Sequence, residues 1–278
     1  MSTDSILLQE HLKGVEPERI QQLLHEHYED LESMVRGVAE NKFNLILNGN
    51  AGMGKTEVTN DILKKYNGKK KGYPKIHKPR KLSGTTSGIA LFAELQQTNE
   101  VGQITIIDDT DKILEDLEMI DLLKGCLDTQ EGKEVSWGKY STALKKLDLD
   151  KSFIYQGRVI IITNKNLQFA DDDTPTLARQ RLEPLLDRCV YFRGGLPSVE
   201  FKMEAIKMFF NGYRKHSRYQ LRCFKDVPEN VQLKIINFMD ENKKKLKLLS
   251  FRQVAQMVAL WEHDQENWKR HAMRTMFR

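Results

Sequence analysis

The stretch "FNLILNGNAGMGKTEV", residues 43–58, constrains this chain more than any other part of it. "FNLILN" is a short apolar run ahead of glycines, which reads as a buried strand. From Lys55 to Tyr66, "KTEVTNDILKKY" returns to helical spacing. Between them, Gly49-Asn50-Ala51-Gly52-Met53-Gly54-Lys55-Thr56 matches the pattern GxxxxGK[ST]. Each part of that pattern serves phosphate chemistry. The glycines let the backbone turn so that successive N–H groups face inward at phosphate oxygens. The helix that follows offers the positive end of its dipole. Lys55 can reach the outer phosphates, and the Thr56 hydroxyl can ligate Mg²⁺. A glycine turn before a helix also arises by chance, but here it follows a strand and opens a helix, as the chemistry requires.

Further strands alternate with helices up to about residue 195. "QITIIDD" and "RVIIITN" are apolar strands, and "CVYFRG" is another. "TTSGIALFAELQQT" reads as a helix with Thr85 or Thr86 as its cap, and "MIDLLKGCLDT" and "PTLARQRLEPLLDR" as two more. Residues 67–84 read as a loop with one short strand, being basic and carrying two prolines and three glycines. Residues 130–157 hold two short strands, "KEVSWGK" and "KSFIYQG", on either side of a lysine-rich connection. Before the core, residues 5–40 repeat Ile20, Leu23, Leu24, Tyr28, Leu31 and Val35 at helical spacing, with Pro17 in the first turn. After 198 the pattern is helix upon helix. The expected organisation is an N-terminal helical segment (1–40), an α/β domain with a parallel sheet (41–197) and a helical domain with a basic tail (198–278).

Two strand ends carry candidate chemistry. "ITIIDDTD" puts Asp108 and Asp109 at the carboxyl end of a strand, where open α/β sheets bind ligands. Asp108 can hold Mg²⁺ directly or through water, and Asp109 can orient or deprotonate an attacking water. Asp111 falls on the following turn. "RVIIITNKN" ends in Thr163 and Asn164, and Asn164 can hydrogen-bond the water or the terminal phosphate.

Composition sets outer bounds. The 278 residues are 40% hydrophobic and 30% charged, which suits a folded globular chain rather than a disordered one. The net charge of +5 leans mildly toward polyanions. Three dispersed cysteines form no CxxC pair, so zinc ligation is not expected, and the odd, sparse count fits a reducing cytoplasm. The start has no signal-peptide pattern, and no apolar run approaches the ~20 residues of a membrane span.

With these motifs in order, the chain resembles the AAA+ ATPases over roughly residues 40–265. Walker A (49–56) is followed by Walker B (104–109), a sensor 1 residue (Asn164), an arginine segment and a helical lid. The resemblance implies a P-loop NTPase three-layer core with a parallel sheet, followed by an all-helical AAA+ lid domain. It also implies ATP and Mg²⁺ as cofactors and a homo-oligomer, in the family a ring. "EPLLDRCVYF" is similar to the family stretch that carries an arginine finger, which maps that role onto Arg188, with Arg179 and Arg181 as substitutes. "LLSFRQVAQMVAL" is similar to the sensor 2 lid helix and points to Arg252. Asp-Asp at Walker B departs from the usual Asp-Glu and shortens the catalytic carboxylate by one methylene. No aromatic-hydrophobic-glycine pore loop of the unfoldase type occurs in 67–88. The 130–157 segment resembles the hairpin inserted before sensor 1 in one AAA+ branch, where it touches DNA. That makes Lys139, Lys145 and Lys146 candidate phosphate contacts and Trp137 a stacking or packing residue. The sequence is also similar to small ATPases of bacteriophage genomes.

Three further segments are basic. "KKKGYPKIHKPRK" (69–81) has no acid and reads as a nucleic-acid contact or a solvated loop. "ENKKKLKLL" reads as a solvated helix face, and the tail "NWKRHAMRTMFR" as an amphipathic helix that docks on a neighbour, on DNA or on its own lid. The expected function is ATP hydrolysis coupled to nucleic-acid remodelling or translocation, in phage-type replication or packaging. The alternatives are an ATP-gated adaptor or loader acting on a protein partner and, more weakly, a small-molecule kinase of the P-loop class.

Overall fold

The computed structural model describes residues 16–66, 76–128, 134–139, 142–165, 167, 177–212 and 221–278. Two compact units divide them: residues 30–49 with 55–194, and residues up to 29 with 50–54 and 195–278. The first helix, α1 (Pro17–Ala39), contributes to both and opens on Pro17 with Glu18 in its first turn. The part of the expected 5–40 helix that precedes residue 16 lies outside the described residues.

The first unit is α/β, built on a five-stranded parallel sheet. Its strands are β1 (Asn44–Asn48), β2 (Arg80–Ser83), β3 (Ile104–Asp108), β6 (Arg158–Thr163) and β7 (Cys189–Arg193), in the order β2-β3-β6-β1-β7. The helices between them are α2 (Lys55–Tyr66), α3 (Gly88–Gln96), α4 (Leu117–Cys126) and α6 (Leu177–Leu186), with a 3₁₀ turn at Asp111–Leu114. Ile46, Ile107, Val159 and Ile161 share one face of the sheet and join a buried cluster with Leu91, Phe92 and Leu95 of α3, Met119, Ile120 and Leu123 of α4, and Leu182 and Leu185 of α6. The opposite face, carrying Leu45, Leu47, Ile106, Ile160 and Ile162, is also buried. Burial on both faces is why these strands read as unbroken apolar runs rather than alternating ones. The edge strand β2, "RKLS", is largely exposed, and its charges suit an unpaired edge.

Register aligns the carboxyl ends of the strands: Asp108 pairs with Ser83 and Ile162, and Asn48 with Thr163 and Arg193. The chain leaves β1 toward β2 on one side, whereas it leaves the adjacent β6 for β7 on the other. Such a reversal opens a crevice at the carboxyl end of the two strands.

The segment before β6 forms a two-stranded antiparallel ribbon, β4 (Glu134–Ser136) and β5 (Ser152–Ile154), joined through α5 (Thr142–Lys146). Val135 and Phe153 face each other and root the ribbon in the core, and Trp137 and Phe153 both pack on Phe92, with centroids 5.5 and 5.1 Å away. Trp137 is therefore a packing residue here rather than an open stacking platform. Lys139 pairs with Glu118, while Lys145 and Lys146 are exposed.

The second unit is helical after residue 195, with α7 (Val199–Phe210), α8 (Glu229–Asn242), α9 (Phe251–His263) and α10 (Trp268–Met276). Ser198 and Ser250 cap α7 and α9 by accepting from the amides of Phe201 and Gln253. Met203, Ile235, Met239, Val254, Met257, Trp268 and Ala272 form its core.

The cap of α3 differs from expectation. Ser87, not Thr85 or Thr86, accepts from the Ala90 amide at 3.3 Å, because Ser87 is the last residue with extended backbone before the helix. Ser87→Ala should cost about 1 kcal/mol in a urea titration and Thr86→Ala almost nothing. Phe92→Ala, which empties the junction of sheet and ribbon, should cost about 3–5 kcal/mol.

Candidate functional site

Within the first unit, the carboxyl ends of β1, β3 and β6 bring five of the expected residues together. Lys55 opens α2 and is buried, with Nζ donating to the Gly49 carbonyl at 2.7 Å and to Asn164 Oδ1 at 3.0 Å. A lysine is rarely buried unless its ammonium is paired or bonded in this way. The Thr56 hydroxyl donates to the Asp108 carboxylate at 3.0–3.2 Å. Asp108 is only 4% exposed, and the Lys81 ammonium lies 2.6 Å from its Oδ2. Removing a carboxylate from water costs several kcal/mol unless a partner compensates it, and Lys81 and Thr56 are those partners.

Asp109 turns outward. Its φ of +54° lies in the left-handed region, which aspartate tolerates better than most residues. It is exposed, and Asn164 Nδ2 donates to its Oδ1 at 3.4 Å. Asn164 thus bridges Lys55 and Asp109 through the two ends of its amide. The Thr163 carbonyl accepts from the Gly49 amide at 3.2 Å, which ties the start of the loop to β6. Asp111 begins the 3₁₀ turn beyond β3.

Within the second unit, residues 50–54 are held by the helical segment. Asn50 Oδ1 accepts from the Leu196 amide at 2.6 Å. The Phe251 amide donates to the Gly52 carbonyl at 2.9 Å, and the Tyr28 hydroxyl to the Met53 carbonyl at 3.2 Å. Gly52 and Gly54 have φ of +71° and +87°. A Cβ on Gly52 would lie 2.8 Å from Ser250 Cβ and 3.6 Å from Arg252 Cγ, and one on Gly54 3.1 Å from Phe251 Cε2. Arg252, in the first turn of α9, therefore runs alongside the glycine turn. Ala51 is exposed and Met53 buried.

Arg188 stands apart from this group. It precedes Cys189, the first residue of β7, at the amino end of the sheet, opposite Asn48 and Asp108. It donates to the Pro184 carbonyl at 2.5 Å and lies 3.5 Å from Asp128 Oδ2. The side chains of Arg179 and Arg181, its substitutes, lie outside the described residues, as do residues 69–75 of the first basic segment.

Chemically, the first unit presents an ammonium, a hydroxyl, a buried carboxylate, an exposed carboxylate and an amide at the carboxyl end of the sheet. Thr56 and Asp108 are hard oxygen donors in contact with each other, a pair suited to Mg²⁺ that keeps waters and phosphate oxygens as its remaining ligands. Among the described residues no group of three or more His, Cys, Asp or Glu could hold a metal by itself. Burial pushes the thiols of Cys126, Cys189 and Cys223 up, that of Cys189 to about 12, which disfavours the thiolate at each. Lys81 is the residue that sequence reasoning missed. It lay inside a basic segment, and only the register of β2 on β3 brings it to Asp108.

No family model matches the sequence. The chain is 25% identical over 271 residues to an uncharacterized 36.7 kDa protein in the nrdC–mobD intergenic region of Enterobacteria phage T4, over 92% of this chain and 77% of that protein. No helix among the described residues is long and apolar enough to cross a membrane.

Two glycines with the same backbone sign separate strain from crowding. Gly84 has φ +79° with nothing within 4 Å of a would-be Cβ, whereas Gly52 would meet Ser250. Gly84→Ala should cost about 1–2 kcal/mol from the left-handed backbone alone. Gly52→Ala should cost clearly more in the same denaturant titration.

Proposed function

We propose that the chain is a Mg²⁺-dependent AAA+ ATPase with a P-loop NTPase core and a helical lid. It works as a homo-oligomer on nucleic acid in phage-type replication or packaging, in the host cytoplasm. The observation that carries this reading is the meeting of Lys55 and Thr56 with Asp108 and Asn164 at the carboxyl end of the sheet. These residues come from three distant segments, each singled out for the same chemistry. The phage relative agrees with the origin and says nothing of the activity.

In this reading the amides of Asn50 to Thr56 and the start of α2 bind the phosphates. Lys55 exchanges the Gly49 carbonyl for the outer phosphate oxygens. Thr56 and Asp108 would hold Mg²⁺, which when bound neutralises charge on the β- and γ-phosphates. Asp109 takes a proton from water as its oxygen attacks the γ-phosphorus and the bond to the bridging oxygen of ADP breaks. Asn164 orients that water and keeps Asp109 in place. Arg188 acts on the nucleotide of a neighbouring subunit, having exchanged Asp128 for phosphate, and Arg252 links the lid to nucleotide state.

The Arg188–Asp128 pair favours a second reading, an ATP-gated adaptor or loader that hydrolyses slowly until a protein partner frees the arginine.

Lys55→Ala should abolish binding of a fluorescent ATP analogue, as should chelation of divalent metal for the Mg²⁺-dependent part. Asp109→Asn should keep binding and lose roughly 10²–10⁴-fold in turnover. Arg188→Ala should lose about 10³-fold or more while binding is unchanged. Turnover per subunit should rise with protein concentration. Equal turnover in wild type and Lys55→Ala would end the ATPase reading.

A further inference from the structure

The lid unit joins two basic segments that lie apart in sequence. Residues 243–248, "KKKLKL", follow α8, and residues 268–278, "WKRHAMRTMFR", form α10 and the C-terminus; neither contains an acid. The backbone lays them side by side. The Lys247 amide donates to the Met276 carbonyl at 2.8 Å, the Arg278 amide donates to the Lys245 carbonyl at 2.9 Å, and Leu246 bridges Phe277 in antiparallel fashion. Leu246 and Met276 point inward and are buried, which leaves the intervening cations outside.

We propose that this two-row surface is a nucleic-acid backbone site, with Lys244, Lys245, Lys247, Arg270, Arg274 and Arg278 as its phosphate contacts. All six are exposed. Among the described residues none of them has a carboxylate within ion-pair distance, although Glu200 feels the charge of Lys244 and Lys247 Nζ donates to the Thr275 carbonyl at 3.4 Å, whereas the adjacent Lys243 is held by Asp240 at 2.7 Å. Lys269 Nζ lies 5.8 Å from the Phe238 ring centroid and 5.7 Å from that of Trp268, so its ammonium is engaged by the ring faces and is left out of the proposed contacts. Cations crowded on one face repel one another, and an anionic partner relieves that repulsion.

The layout selects the class of partner. A bilayer takes up an amphipathic helix through its apolar face, but Trp268, Ala272 and Met276 of α10 are already buried in the lid core, and the two segments expose only two large apolar side chains, Met273 and Leu248, which do not make an inserting face. A phosphate backbone offers regularly spaced anions to a row of cations and needs no apolar insertion. The site deepens the proposed nucleic-acid role by giving it a location. It lies wholly within one unit and uses none of the nucleotide-binding residues.

The test is fluorescence anisotropy of the full chain, without nucleotide, against labelled single-stranded DNA of mixed sequence over a KCl series. The patch variant combines Lys244→Gln, Lys247→Gln, Arg274→Gln and Arg278→Gln. A control that also tests the rival site combines Lys145→Gln and Lys146→Gln, the candidate phosphate contacts on the ribbon connection. Unchanged thermal midpoints and unchanged binding of a fluorescent ATP analogue verify that both variants fold. The patch variant should bind at least about 30-fold more weakly at low salt, and its log–log salt slope should fall by about 3, or about 0.7 for each of the contacts removed. The control should match wild type. If the patch variant binds like wild type while the control loses affinity, DNA binds elsewhere; the surface is overturned and the nucleic-acid role stands. If wild type binds no DNA, both fall. Polyglutamate of equal charge displacing the DNA at equal concentration would overturn the choice of partner in favour of an acidic protein.

Discussion

The parallel pairing of β1 with β6 on one side and β7 on the other is the constraint on which the α/β unit depends. A strand in that position is buried on both faces, so Leu45, Ile46 and Leu47 must all be apolar. The chain must then leave β1 at the crevice where the connections diverge. That exit fixes where α2 begins, and the beginning of α2 fixes Lys55 and Thr56. β3 and β6 end at the same level, so Asp108 and Asn164 arrive beside them. Packing and chemistry are coupled here, because the groups that compensate the buried Asp108 and Lys55 belong to the same proposed site.

The second unit makes a complementary contribution. Loop residues 50–54 hold left-handed glycines against Ser250 and Phe251, and Tyr28 and Leu196 secure its carbonyl and side-chain ends. A loop held this firmly keeps its amides oriented in advance, so less ordering is required when an anion binds. Arg252 belongs to the same turn of α9.

Much of this was legible in the sequence because the signals were local. The apolar runs at 44–48, 104–108 and 158–163, the glycine turn and the acids at 108–109 each state their structure over a few residues. That the sheet is parallel follows from their alternation with helices, whereas its five strands and their order come from the structure. The pairing of Val135 with Phe153 was visible only as two weak strands, since each is three residues long. What stayed hidden depended on register and tertiary contact. Lys81 reads as one more basic residue until β2 is set against β3. The partnership of Arg188 with Asp128 joins residues far apart in sequence. The basic segments at 243–248 and 268–278 each read as an ordinary solvated or packed face, and only the backbone bonds at Lys245 and Lys247 reveal a shared surface. The α3 cap went to Ser87 because three adjacent hydroxyl residues compete, and backbone conformation, not residue type, decides among them.

The central claim is that the turn at 49–56 grips a triphosphate with Thr56 and Asp108 beside its metal. It is tested most directly by an experimental structure of the chain with a non-hydrolysable ATP analogue and Mg²⁺. The account requires phosphates over the amides of 50–56, Lys55 released from Gly49 onto phosphate oxygen, and the metal in contact with the Thr56 hydroxyl on the Asp108 side. Nucleotide bound elsewhere, with Lys55 still on Gly49 and Thr56 still on Asp108, would contradict it.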